Sequence, residues 1–128
     1  MRDRFDEVRR DVMAFVHERQ WAKDHDPKSL LLAMIGEVGE VAEILQWKSQ
    51  ADFTLLRTPG TDDHERIRHE LADVLIYLIE LGEWLDVDLL DAVHVKLEIN
   101  ARNYPVELSR GNHDKHPGAS PKSGGEGR

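Results

Sequence analysis

A helix that is apolar along one side yet carries two acids on that side has few ways to fold, and residues 30–48, LLLAMIGEVGEVAEILQWK, make such a helix. At about 100° per residue, Glu40 lies three positions from Glu37 and nearly above it. Ala33, Val41, Ile44 and Trp47 share that side, while Glu43 falls to the flank within reach of water. Two carboxylates on a core-facing stripe are costly to desolvate unless a cation meets them. Gly36 and Gly39 lie in the same stretch and each weakens a helix by roughly 1 kcal/mol relative to alanine. Their presence fits tight helix packing, or a ligand or second backbone brought close to the acids.

The pattern recurs further along. Residues 63–85 predict a helix in which Glu70 and Asp73 are again three apart, on the side that carries Ile67, Val74, Tyr77 and Leu81. If the two helices pack side by side, four carboxylates converge, and their repulsion is relieved only by protonation or by divalent cations. Donors that are all oxygen favour Mg²⁺ or Mn²⁺ over zinc or copper. A carboxylate-bridged di-iron centre needs Glu-x-x-His on two helices, and only Asp91-x-x-His94 comes near that form. A single Glu-x-x-Glu usually marks a solvated helix edge, but two pairs on the two most apolar helices fit that explanation poorly.

The chain of 128 residues suggests one domain with a core of its own. It has no cysteine, which excludes disulfides, thiolate metal sites and cysteine nucleophiles. The formal net charge of −8 argues against general nucleic-acid binding, which needs a basic surface. Because the first residues, MRDRFDEVRR, are strongly charged and no apolar run is long enough to span a bilayer, neither a signal peptide nor a membrane partner is expected. A cytoplasmic protein is the default expectation.

Four helices are predicted. The first covers residues 3–20 through the stripe Phe5, Val8, Val12, Phe15 and Val16. Asp26 followed by Pro27 supplies an N-cap and first turn for the second, over residues 28–48. Residues 49–61 read as a loop ending in the Pro59–Gly60 turn, with Phe53, Leu55 and Leu56 folding back onto the helices. Asp62, with Glu65 three on, resembles a capping box for the third helix, whose LADVLIYLIEL is apolar almost all round and so expected to be buried. Asp86 or Asp88 caps a fourth helix that Pro105 ends. The segment from residue 111, GNHDKHPGASPKSGGEGR, is too poor in apolar side chains to stay ordered, which leaves a domain over residues 1–110. The expected fold class is all-α, a four-helix bundle completed by oligomerisation through a leftover apolar face.

With these residues in view, Glu37-x-x-Glu40 followed by Glu70-x-x-Asp73 resembles the signature of the MazG-like all-α nucleotide pyrophosphohydrolases. RQWAKDHDPKSLLLAMIGEVGEVAEILQWKS, ELADVLIYLIEL and NARNYPVELSRG resemble the branch of that family that acts on dCTP, and the likeness runs from about Asp3 to Gly111. It implies cleavage of a (deoxy)nucleoside triphosphate between the α and β phosphates, giving the monophosphate and pyrophosphate. By the same resemblance Glu37, Glu40, Glu70 and Asp73 are the Mg²⁺ ligands. Trp21 and Trp47 flank the base, Tyr77, Lys96 and Asn100 contact the nucleotide, and homodimers or homotetramers share the active sites. In that branch a histidine can stand nine residues before the first of these tryptophans, and here the position is Val12.

The residues fit this chemistry on physical grounds too. A carboxylate nest binds a polyanionic triphosphate only through metal ions, which also acidify an attacking water, and one acid, for which Glu40 is the candidate, orients or deprotonates it. Lys96 and Asn100, four apart, face the same way on their helix, and Lys48, Arg102 and Arg110 are further candidates for the phosphate tail. Trp47 suits stacking on a base, and Trp21, in a polar connection, is hard to explain as core. Tyr77 stands one turn beyond Asp73, and Trp84 reads as core or interface. The alternative to an enzyme is a non-catalytic oligomeric helical module in which the acids serve a structural metal site or a regulatory contact.

Overall fold

The computed structural model describes residues 3–111. Helices α1 (Arg4–Glu18), α2 (Pro27–Leu45), α3 (Gln50–Leu56), α4 (Asp62–Trp84), α5 (Leu89–Asn103) and the short α6 (Val106–Ser109) follow in order, with a 3₁₀ turn at Ala22–Asp24. No strand occurs among the described residues. The polar tail expected from residue 111 lies, from residue 112 on, outside them. Residues up to Val87 form one compact unit and those from Asp88 onward a second.

Most helix ends carry the signals that the sequence supplies. Asp26 caps α2, its Oδ1 accepting from the Ser29 N–H at 2.7 Å, with Pro27 in the first turn. Asp88 caps α5 by accepting from the Asp91 N–H. At α4 the cap is Thr61, one residue earlier than expected: its hydroxyl oxygen accepts from the His64 N–H at 3.2 Å, and Asp62 is the first helical residue. The segment read as loop contains α3, closed by a capping box in which Ser49 and Asp52 bond each other. Its seven residues are too few for a helical period to emerge.

Helices α1 and α4 end alike. Gln20 (φ 55°) and Asp86 (φ 54°) take the left-handed conformation. The following residue in each case bonds back into the last turn, Trp21 N–H to Val16 O at 3.1 Å and Val87 N–H to Gly82 O at 2.9 Å, which makes both ends Schellman motifs. The first of them sets the place of Trp21.

In the first unit α4 is the centre, with α2, α1 and α3 packed on it. Its core comprises Val16, Leu30, Ile44, Leu56 and Ile79. The contacting side of α2 is Leu30, Ala33, Met34, Glu37, Val41 and Ile44, buried or half-buried at helical spacing. The expectation that α4 is buried all round is not met within one chain. Ile79, Glu80 and Gly82 are buried, whereas Leu71 (53% exposed), Leu75, Ile76 and Leu78 face outward together with Leu31, Leu32, Ile35 and Val38 of α2. A helix apolar on every side needs neighbours on every side, and the unit's other helices cover only part of it. Among the described residues a Cβ at Gly36 or Gly39 would meet nothing within 4 Å, so there these glycines permit no close approach that alanine would forbid.

Candidate metal centre and nucleotide site

Helices α2 and α4 run antiparallel. Lys48, beyond the end of α2, bonds Asp63 at the start of α4 at 3.2 Å, and at the opposite end Leu30 and Glu80 line one cavity. This pairing brings the mid-helix acids together. Glu37, Glu70 and Asp73 each offer a carboxylate oxygen, and the three oxygens lie within 4.8 Å of one another. Glu37 Oε2 and Glu70 Oε2 are buried without a hydrogen-bond partner among the described residues. Such atoms are expensive to leave unpaired, and a hard cation with oxygen ligands satisfies them, so these residues fit a divalent ion.

The electrostatics agree. Burial pushes the Glu37 carboxyl above its ordinary value of 4.5; hydrogen bonding with Glu70 pulls it partly back, while the charges of Glu40 and Asp73 push it further up. Glu40 is raised chiefly by its hydrogen bond with Glu70 and by that residue's charge. Hence the fourth acid belongs to the cluster, although its side is exposed. Tyr77 is raised by burial first, then by the charges of Glu37, Glu80 and Asp73. It therefore stands between the acid cluster and the buried end of α4.

The expected nucleotide-binding residues are spread more widely. Trp21 is half-exposed, its ring set edge-on to Phe15 at 5.6 Å and tilted to His25 at 6.1 Å. Trp47 lies two residues past the end of α2 and is 86% exposed. Trp21 and His25 precede α2 and Trp47 follows it, so the helix's length of about 28 Å separates the two indoles, and one chain does not bring them together. Lys96 is exposed and Asn100 half-buried, both on α5 in the second unit. Lys48, a phosphate candidate, is engaged by Asp63. Trp84 is exposed and lines the cavity at the end of α4.

One feature of the site region was not anticipated. His25 Nδ1 and Glu80 Oε1 are 2.7 Å apart, with Glu80 only 4% exposed. Beside them Arg9 donates to Glu83 Oε1 at 2.9 Å. A signal for Glu80 was present: it is the single acid in LIYLIELG and stands seven residues, two turns, after Asp73. Its partner, 55 positions away, had none.

Antiparallel helices that join their acids across an apolar contact define an all-α protein with a carboxylate cluster that could hold a metal ion. The chain belongs to the MazG-like family, whose model matches residues 35–116. Among curated proteins it is similar to dCTP pyrophosphatase 1 of Rattus norvegicus, 43% identical over 87% of this chain, and to that of Homo sapiens at 42%. The match spans 65% of the length of those relatives. Among solved structures it resembles a pyrophosphatase from Archaeoglobus fulgidus, with 34% identity and a TM-score of 0.72 over 82% of this chain and 95% of the other. Among the described residues no helix is long and apolar enough to cross a membrane.

Proposed function

We propose that this chain is a Mg²⁺-dependent nucleoside triphosphate pyrophosphohydrolase that cleaves a (d)NTP, dCTP or a close relative, to the monophosphate and pyrophosphate in the cytoplasmic nucleotide pool. The observation that carries the reading is the meeting of Glu37, Glu70 and Asp73 within 4.8 Å, two of them with buried, unpartnered oxygens. The names of the relatives support it.

Glu37, Glu40, Glu70 and Asp73 hold Mg²⁺ in this reading, with Mn²⁺ as a substitute. When bound, the metal neutralises phosphate charge and lowers the pKa of water. Glu40, raised by its neighbour Glu70 and open to solvent, takes the proton of the attacking water. The water oxygen bonds to one phosphorus of the α–β anhydride. The bond from that phosphorus to the bridging oxygen breaks, and the leaving phosphate takes the electron pair. Tyr77, beside the acids, packs at the ribose. Assignment of Lys96 and Asn100 to the nucleotide rests on the family resemblance.

Trp21 and Trp47 flank one base only if they come from different copies of the chain, because α2 separates them. The outward apolar residues of α2 and α4, led by Leu31, Leu71 and Leu75, suit contact with a second copy. We therefore read the active form as a homodimer or homotetramer. The decisive experiment is pyrophosphate release from a panel of dNTPs and NTPs with Mg²⁺. Release that stops in excess chelator is expected. Metal binding with no release from any triphosphate would leave the non-catalytic module instead.

A further inference from the structure

A cavity of about 330 Å³ opens where α1 and the 3₁₀ turn meet the far end of α4. Met13, Val16 and Leu30 make its apolar wall. Glu80 and His25 supply polar groups to the lining, bonded to each other at 2.7 Å. Glu83, also in the lining, is held by Arg9. His25 is the hydrogen-bond partner found for Glu80 among the described residues. Since the two oxygens of a carboxyl group can accept more than one hydrogen bond, Glu80 keeps capacity for a ligand.

The cavity's position relates it to the acid cluster. Leu30 stands seven residues before Glu37, and Glu80 seven after Asp73. Seven residues advance a helix by about 10.5 Å and return it to nearly the same face. Cavity and acids therefore lie along the same α2–α4 contact, one end and the middle of it, with Tyr77 between them in sequence. That separation matches the span from a nucleotide's phosphates, across the ribose, to its base. Trp21, with its ring beside that of His25, is at hand to stack on a base.

We infer that this cavity receives the base and that Glu80, oriented by His25, is a specificity-determining residue that accepts a hydrogen bond from the base's exocyclic amine. The inference rests on the pyrophosphohydrolase reading above. Cytosine and adenine present such an amine. Uracil and thymine place a carbonyl there, setting oxygen against oxygen. A buried group built to bond one substituent discriminates strongly, because the wrong base leaves it unpaired. His25 acts through Glu80 and is a positioning residue.

The test compares kcat/KM for dCTP and dUTP by pyrophosphate release. The wild-type ratio favours dCTP, and Glu80→Gln lowers it about tenfold or more, because an amide also donates to a carbonyl. His25→Phe lowers the same ratio, and His25→Gln, which restores an N–H donor, recovers part of it. A purely structural role would change both substrates alike and leave the ratio intact. If the variants do not fold, the wild-type enzyme is assayed with the triphosphate of 2-pyrimidinone deoxyriboside, which lacks the amine. Use of this analogue about tenfold below dCTP supports the inference. Equal use of the two, or an unchanged ratio in Glu80→Gln, overturns it while pyrophosphohydrolysis stands. No release from any triphosphate removes both.

Discussion

Glu37 of α2 and Asp73 of α4 bring carboxylate oxygens within 4.8 Å of each other across an antiparallel helix contact, with Glu70 as the third member. Carboxylates this close oppose folding unless protons or a cation relieve their repulsion, and the proposed Mg²⁺ would do so. Removing one negative charge should thus separate stability from activity. For Glu37→Gln, pyrophosphate release with Mg²⁺ is expected to fall by at least about a hundredfold, whereas the melting temperature in chelator rises. Mg²⁺ should raise the melting temperature of the wild type more than that of the variant. A variant that melts lower in chelator would mean that Glu37 stabilises the fold in some other way.

The raised carboxyls of Glu37 and Glu40 fix the sign of a pH effect. Both lie above their ordinary value of 4.5 in the folded chain, so folding favours their protonated forms. Their contribution is fully present below that value and is lost as pH rises through the folded pKa. Relative to a Glu37→Gln, Glu40→Gln double variant, the metal-free wild type should lose stability as pH rises from about 4.5. If Mg²⁺ binds the deprotonated acids as proposed, saturating Mg²⁺ should reverse that slope. Thermal melts of both proteins between pH 4 and 8, with and without Mg²⁺, read this out.

Thr61 ties the end of α3 to the start of α4. Its hydroxyl donates to Leu55 O at 2.8 Å or Thr58 O at 2.9 Å and accepts from the His64 N–H. Loss of such a cap costs about 1 kcal/mol, so Thr61→Ala should lower the melting temperature by a few degrees. The acids lie two turns and more beyond the cap, and kcat should stay within about twofold of wild type because capping effects fade within the first turn. A large loss of kcat without a change in melting temperature would place Thr61 in the site instead.

The acid pairs were legible in the sequence because each breaks an otherwise apolar stripe, a conflict that local chemistry leaves unresolved. Helices α1, α2, α4 and α5 were legible from periodicity and caps, with errors of a few residues at their ends. Thr61 rather than Asp62 caps α4 because both residue types cap well, and only backbone geometry chooses between them. Helix α3 was hidden by its shortness and by the Pro59–Gly60 turn that follows it. Hydropathy predicts burial for the outward face of α4, which is exposed in the single chain, because it reports a preference for burial and not which molecule covers it. The His25–Glu80 bond was invisible, since nothing local links residues 55 apart.

Trp47 tests how the proposed site is assembled. Its side chain is 86% exposed, so Trp47→Ala removes almost no intrachain packing and should change stability by less than about 0.5 kcal/mol. Stacking of an indole on a base is worth roughly 1–3 kcal/mol, so KM should rise about tenfold with kcat little altered. If the site takes its acids and Trp21 from one copy and Trp47 from another, the defects of Trp47→Ala and Glu37→Gln reside in different partners. Mixing the two variants under conditions that let subunits exchange should then form hybrids with one intact site, and activity should exceed that of either variant alone. The measurement is initial rate at low substrate, before and after exchange. A mixture with only the summed activity of its parts would place Trp47 and the acids of each site in the same chain, or Trp47 outside the site altogether.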